Sequence, residues 1–191
     1  MSNFLVKPNN MKIFFCLLLS LVALSASAQN ALGDSLKQQL LRDWERAKSY
    51  TQEYLDAMPA AQYGFRATDS MRTFAQQMLH LAAANAGLAF IGIGAPYPFA
   101  TQDFEKLPAL QNKDSVVYYV NASYNTMING IERLDPGTLG QSVSWNMPGG
   151  KRTITRLAWI FKAFEHQTHH RAQCTVYLRL VGIRPPAEKL F

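Results

Sequence analysis

Four stretches of this chain carry apolar residues at steps of three and four, and each stops at a glycine or a proline. That pattern constrains the fold more than any other feature. Period 3.6 with an apolar stripe means an amphipathic helix, and a helix of this kind must bury its stripe against others. The first stretch spans residues 34–58, with Leu36, Leu40, Trp44, Ala47, Tyr54 and Met58 on one side and Pro59 as its stop. Asp34 or Ser35 suits its N-cap. The second, residues 69–91, starts at Thr68 or Asp69 and is apolar nearly all round, which predicts burial on more than one side. The third, residues 114–134, ends at Asp135-Pro136-Gly137. The fourth, residues 153–181, ends at Gly182, and Pro185-Pro186 blocks its continuation. Four such helices predict an all-α four-helix bundle.

Two connections are long, 92–113 and 136–152. Compact domains seldom carry irregular loops beyond about 12–15 residues unless these are lids or crossovers. The first is long enough to return along the whole bundle, so the second and third helices need not be antiparallel neighbours. The second contains Trp145 and Gly149-Gly150, which suits a small hairpin or flap.

Residues 1–28 read as an address. Lys7 and Lys12 precede an apolar run over residues 13–26, and Ala26-Ser27-Ala28 stands before Gln29. A charged start, a short apolar run and an A-x-A site form a secretory signal peptide. The run is about 14 residues, short of the roughly 20 that span a bilayer. Met11 is an alternative start. Export to the periplasm or beyond is therefore expected, with no stable membrane insertion after cleavage and residues 29–191 as the mature domain. Cys16 would leave with the signal, so only Cys174 remains and no internal disulfide can form. Composition closes other routes. The formal charge of +6 is mild, and the chain has neither a Gly-rich phosphate loop nor a CxxC pair. A nucleic-acid partner is not expected.

Chemistry concentrates in four histidines: His80, His166, His169 and His170. Positions 166 and 170 are four apart on a helix and project the same way, a spacing suited to one metal ion. The run His166-Gln167-Thr168-His169-His170 is close to the H-E-x-x-H zinc-protease pattern but has Gln167 in place of the glutamate base, which argues against that chemistry. A third, distant histidine would complete three nitrogen ligands and leave one position open, as in catalytic sites. The same residues unmetallated would make a structural interaction domain. Lys151, Arg152 and Arg156 read as a solvated helix end. Cys174, one turn after His170, reads as a small core residue.

The segment His166-x-x-x-His170-Arg171-Ala172-Gln173, followed by Tyr177 and an apolar run to Gly182 and Pro185-Pro186, resembles the C-terminal signature of the DinB/YfiT-like metalloenzymes. The signature is H-x-x-x-H-R-G-Q, and Ala172 stands where the family often has glycine. Tyr63-Gly64-Phe65-Arg66 through Thr68 to His80-Leu81-Ala82 resembles the family's entry into its second helix and its first histidine. The resemblance implies a bundle of up-down-down-up order and a divalent metal held by His80, His166 and His170. Zinc or nickel is the implied metal, with iron and copper also accepting imidazole. It leaves His169 outside the ligand set. Gln173, Tyr177 and Trp145 become candidates beside the metal or facing substrate. The resemblance implies a metal-dependent hydrolase or a thiol-dependent transferase on an unidentified small molecule, and a homodimer. Export disfavours the thiol version, because small reduced thiols concentrate in the cytosol. The alternative is a bundle that binds a metal or ligand without turnover. No carboxylate is placed by the sequence beside the three histidines.

Overall fold

The computed structural model describes residues 8–100 and 103–191; within residues 8–30 it describes the backbone and, of the side chains, Leu17 alone. Lys7, the side chains of the apolar run other than Leu17, and those of the A-x-A site lie outside the described residues. Four helices carry the fold: α1 (Pro8–Ala57), α2 (Phe74–Ile93), α3 (Lys113–Arg133) and α4 (Arg156–Leu180). A two-stranded hairpin, β1 (Ser142–Met147) and β2 (Gly150–Thr155), precedes α4. Among the described residues no helix is long and apolar enough to cross a membrane.

Three boundaries differ from the sequence expectation. Helix α1 runs back through Gly33 to Pro8, because no proline interrupts residues 9–33. Helix α2 starts at Phe74 rather than residue 69. Thr73 accepts from Gln76 N at 3.1 Å while the Gln76 side chain accepts from Thr73 N at 3.0 Å. This capping box satisfies two end donors at once, which neither Thr68 nor Asp69 achieves. Helix α4 starts at Arg156 because residues 150–155 pair as β2. The connection after α3 is thus an ordered hairpin. Its turn at Gly149 and Gly150 has φ of 87° and 111°, a left-handed path open to glycine.

Direction follows from contacts at the helix ends. Lys113 at the start of α3 donates to Met58 O just past the end of α1, and Lys37, about five turns before the end of α1, donates to Leu134 O after α3. Tyr63, leading into α2, donates to Leu55 O. So α2 and α3 both start beside the end of α1 and run parallel. Arg156 at the start of α4 donates to Gly92 O at the end of α2, and Tyr177 near its end donates to Arg72 O just before α2. Helix α4 therefore opposes α2 and parallels α1. The order is up-down-down-up, and residues 94–112 form the crossover that parallel α2 and α3 require.

The core fills the space between the helices with Trp44, Leu55, Met58, Phe74, Met78, Leu81, Tyr124, Met127 and Ile131, all fully buried. Helix α2 packs against both α3 and α4, which explains its apolar surface all round. Gly92 sets the α2–α4 approach: a Cβ there would stand 2.4 Å from Trp159 Cβ. A buried polar chain crosses the core. Tyr124 donates to Gln167 Oε1 at 2.8 Å and shares a 2.7 Å bond with Thr51 Oγ1.

Candidate metal centre

The close α2–α4 pair brings three imidazoles together. His80 projects from α2, and His166 and His170 project from α4 one turn apart. One nitrogen from each lies within 4.8 Å of the other two. His166 Nε2 and His170 Nε2 are 3.1 Å apart. Two nitrogens on one tetrahedral ion stand about 3.4 Å apart at a Zn–N distance of ~2.1 Å, so the spacing is near that of a metal pair. Burial, and then the neighbouring imidazoles, hold His170 down to about 3 and His166 down to about 4. Both rings are neutral at neutral pH, each with one ring-nitrogen lone pair.

The outer nitrogens decide how each ring is held. Glu105, on the crossover, meets His80 Nδ1 at 2.6 Å. A carboxylate accepts, so Nδ1 carries the proton and Nε2 keeps its lone pair for the cluster. This hydrogen bond is also the main reason the Glu105 carboxyl is held below its ordinary range. Arg72 Nη2 stands 4.0 Å from the other oxygen of Glu105. Gln77 Nε2 lies 2.9 Å from His170 Nδ1. An amide nitrogen only donates, so here His170 is protonated at Nε2 and points that proton at His166. Turning the Gln77 amide over lets its oxygen accept from Nδ1–H and frees His170 Nε2 as a ligand, with no movement of the backbone. His166 Nδ1 is buried and has no hydrogen-bond partner. Three imidazoles with converging nitrogens, two with outer partners able to fix the tautomer, fit a divalent ion.

Two cavities open beside the cluster. One, about 660 Å³, lies between α4 and the hairpin, with His166 and His169 in its wall beside Leu88, Met147, Ile154 and Trp159. The other, about 520 Å³, reaches His80 and Glu105 and is walled by Phe90 and Trp145. Hairpin side chains alternate, so Val143, Trp145, Met147, Arg152 and Ile154 share one face. Met147, Trp145, Arg152 and Ile154 line these cavities. Trp145 packs edge-on against Phe90 at 5.6 Å.

The remaining candidates separate by position. Gln173 is exposed and hydrogen-bonds His169 Nε2 at 3.1 Å, and the His169 ring packs edge-on against His170 at 4.9 Å, so Gln173 meets the cluster through His169. Tyr177 is buried and donates to Arg72 O at 2.7 Å, so it anchors the turn that carries Arg72 toward Glu105. Cys174 is buried and free, and burial pushes its thiol up. Sequence reasoning missed Glu105 and Gln77. Glu105 is 25 residues from His80 and joins it only because the crossover folds back over α2. Gln77 is three residues before His80, but its partner is on another helix.

A bundle of up-down-down-up order with three histidines converging from two helices defines a narrow structural class. The DinB superfamily model matches residues 43–174, a span that contains all three histidines, and the chain belongs to that superfamily. Among solved structures, a DinB-like protein from Bacillus cereus ATCC 10987 superposes with a TM-score of 0.68 at 18% identity, covering 80% of this chain and 97% of that one. A member of the DinB family from Exiguobacterium sibiricum 255-15 gives 0.61 at 22% identity, with 81% and 97% covered. YfiT from Bacillus subtilis, described as a probable metal-dependent hydrolase with an unusual four-helix bundle topology, gives 0.55 at 17% identity, with 76% and 87% covered. At these identities the likeness establishes the fold. No curated protein matches the chain.

Proposed function

We propose that this protein is an exported metal-dependent enzyme, a hydrolase or a transferase, whose divalent ion is held by His80, His166 and His170. The observation that carries this is the convergence of three imidazole nitrogens within 4.8 Å, with Glu105 fixing the tautomer of one of them. The description of the structurally similar YfiT as a probable metal-dependent hydrolase supports it. A divalent ion on three neutral ligands keeps its full charge and supplies Lewis acidity. The chain's own residues do the rest. Glu105 holds the His80 ring, and Gln77 holds the His170 ring. Leu88, Trp159, Met147 and Ile154 give the adjoining cavity largely apolar walls. Glu165, in the same wall and tied to Lys162 at 2.7 Å, is the carboxylate available on that side for proton transfer.

Metal content by mass spectrometry tests the reading. The chain from Gln29 onward, without a His-tag, is purified beside a His80→Ala, His166→Ala, His170→Ala variant. Near-stoichiometric zinc or nickel in the parent and none in the variant is the expected result. A parent that takes up no metal after reconstitution with zinc, nickel and iron would refute it. Export is tested separately by N-terminal sequencing of the secreted or periplasmic fraction of full-length expression. A new terminus at Gln29 is expected, and uncleaved protein confined to the cytosol refutes this part.

A further inference from the structure

A further cavity lies on the other side of α4 from the histidines, and its chemistry is that of an anion site. The cavity is about 530 Å³ and is enclosed by α1, α4 and the C-terminal segment 184–190. Arg171 stands in its wall and is only 6% exposed. A buried guanidinium ordinarily faces a carboxylate, because an uncompensated buried charge is costly. Here the partners of Arg171 are all neutral. Its Nη1 donates to Gln167 Oε1 at 2.6 Å, with longer contacts to Thr51 Oγ1 and Ala47 O, and its Cζ lies 4.7 Å over the Tyr50 ring. Among the described residues it makes no ion pair.

The rest of the wall adds charge of the same sign. Arg46, Arg179 and Arg184 line the same cavity. Arg46 is matched by Asp43 at 2.8 Å. Arg179 and Arg184 make no ion pair among the described residues. Lys189 pairs with Glu53, and Arg46 donates to Lys189 O at 2.7 Å, so the C-terminal segment is strapped across the opening. Glu188 is the one carboxylate in the lining. Three guanidinium groups without carboxylate partners around one concave space raise its positive potential, and the single carboxylate of Glu188 offsets only part of it.

We propose that this cavity binds a small free polyanion bearing phosphate or carboxylate groups. Arg171 meets it from the core side, and Arg179 and Arg184 close on it from the rim. Guanidinium forks match both oxyanions bidentately. The proposal is independent of the metal reading, because the histidine cluster lies on the other side of α4.

Isothermal titration with inorganic phosphate and with citrate tests it, using the protein as purified. The expected result is saturable binding that weakens as salt rises. The dissociation constant should rise at least tenfold in an Arg179→Gln, Arg184→Gln variant, whose changes are at exposed positions and leave the melting temperature in place. Glu188→Gln should tighten binding several-fold, a change of sign that general loss of structure does not produce. Three results would each overturn the proposal. One is unchanged affinity in the double arginine variant. Another is loss of phosphate and citrate binding in His166→Ala, His170→Ala protein, which would place the anion on the histidines. The third is binding only to phosphatidylglycerol vesicles, with none to the free anions.

Discussion

Replacing Glu105 by glutamine isolates what the crossover contributes to the histidine cluster. The Glu105–His80 contact is 2.6 Å, and the two side chains are 18% and 27% exposed. It is therefore a short, charge-assisted bond largely out of water, the kind roughly twice as strong as a neutral one. Glutamine is isosteric and its oxygen still accepts from Nδ1–H, but the negative charge that makes His80 a better donor is gone. Outer partners of this type are worth about 10–100-fold in metal affinity. Glu105→Gln, which keeps the hydrogen bond, should sit at the lower end, about tenfold. Glu105→Ala, which loses it, should sit near the upper end and free the ring to turn. A tenfold change is about 1.4 kcal/mol. The assay is competition for zinc against a chromophoric chelator at fixed pH, with each variant's fold checked by circular dichroism. Affinities of both variants within twofold of the parent would refute the argument that Glu105 orients His80. Equal losses in the two would show that charge alone matters and that the hydrogen bond's geometry does not.

Three further outcomes follow from other parts of the molecule. Gly92→Ala places a methyl 2.4 Å from Trp159 Cβ, where a side-chain stem cannot swing aside; overpacking should cost about 1–3 kcal/mol, and an unchanged urea midpoint would show that the α2–α4 spacing is not set there. Thr73→Ala removes the capping box and should cost about 1 kcal/mol, read as a lower melting temperature, whereas Thr68→Ala should leave it unchanged. In metal-free protein, His166 and His170 are held at about 4 and about 3, against 6.5 in an exposed chain. Between those limits the unfolded chain binds more protons than the folded one, so the stabilisation present above pH 6.5 is lost as pH falls toward 4. Urea midpoints should fall between pH 7 and pH 5, before carboxylates titrate, and a flat profile over that interval would refute the assigned burial.

The helices were legible because each carries its stripe in consecutive residues. Leu36, Leu40, Trp44 and Ala47 needed no partner to be recognised, and all but the half-buried Leu36 are buried. Starts were harder. Residues Thr68 and Asp69 look like caps in isolation, and only the reciprocal Thr73–Gln76 pair distinguishes the true one. The crossover was legible as length, yet not as content. Nothing local marks Glu105 as a histidine's partner, because that contact is made by tertiary folding over α2. The ligand pair His166 and His170 was visible from spacing, whereas His80 entered through family resemblance, since a lone histidine on an apolar helix looks the same whether it binds metal or a core carbonyl. Arg171 appeared only as part of a signature; its lack of a carboxylate partner is a property of the packed bundle.

Parallel α2 and α3 oblige the chain to run the bundle's length between them, and this detour divides labour within the molecule. The scaffold's helices carry the three imidazoles and also the core, so altering them risks the fold. Apart from Ala95 and Phe104, which reach the core, residues 94–112 stand outside that compromise. They touch the cluster through Glu105 and shape one adjoining cavity through Tyr97 and Asp103. Insertions or exchanges in this segment can therefore retune ring orientation and pocket outline while the helices keep their packing. A single obligatory connection thus gives the bundle a part that can drift in sequence, and with it a route by which one three-histidine frame can be adapted to different chemistries.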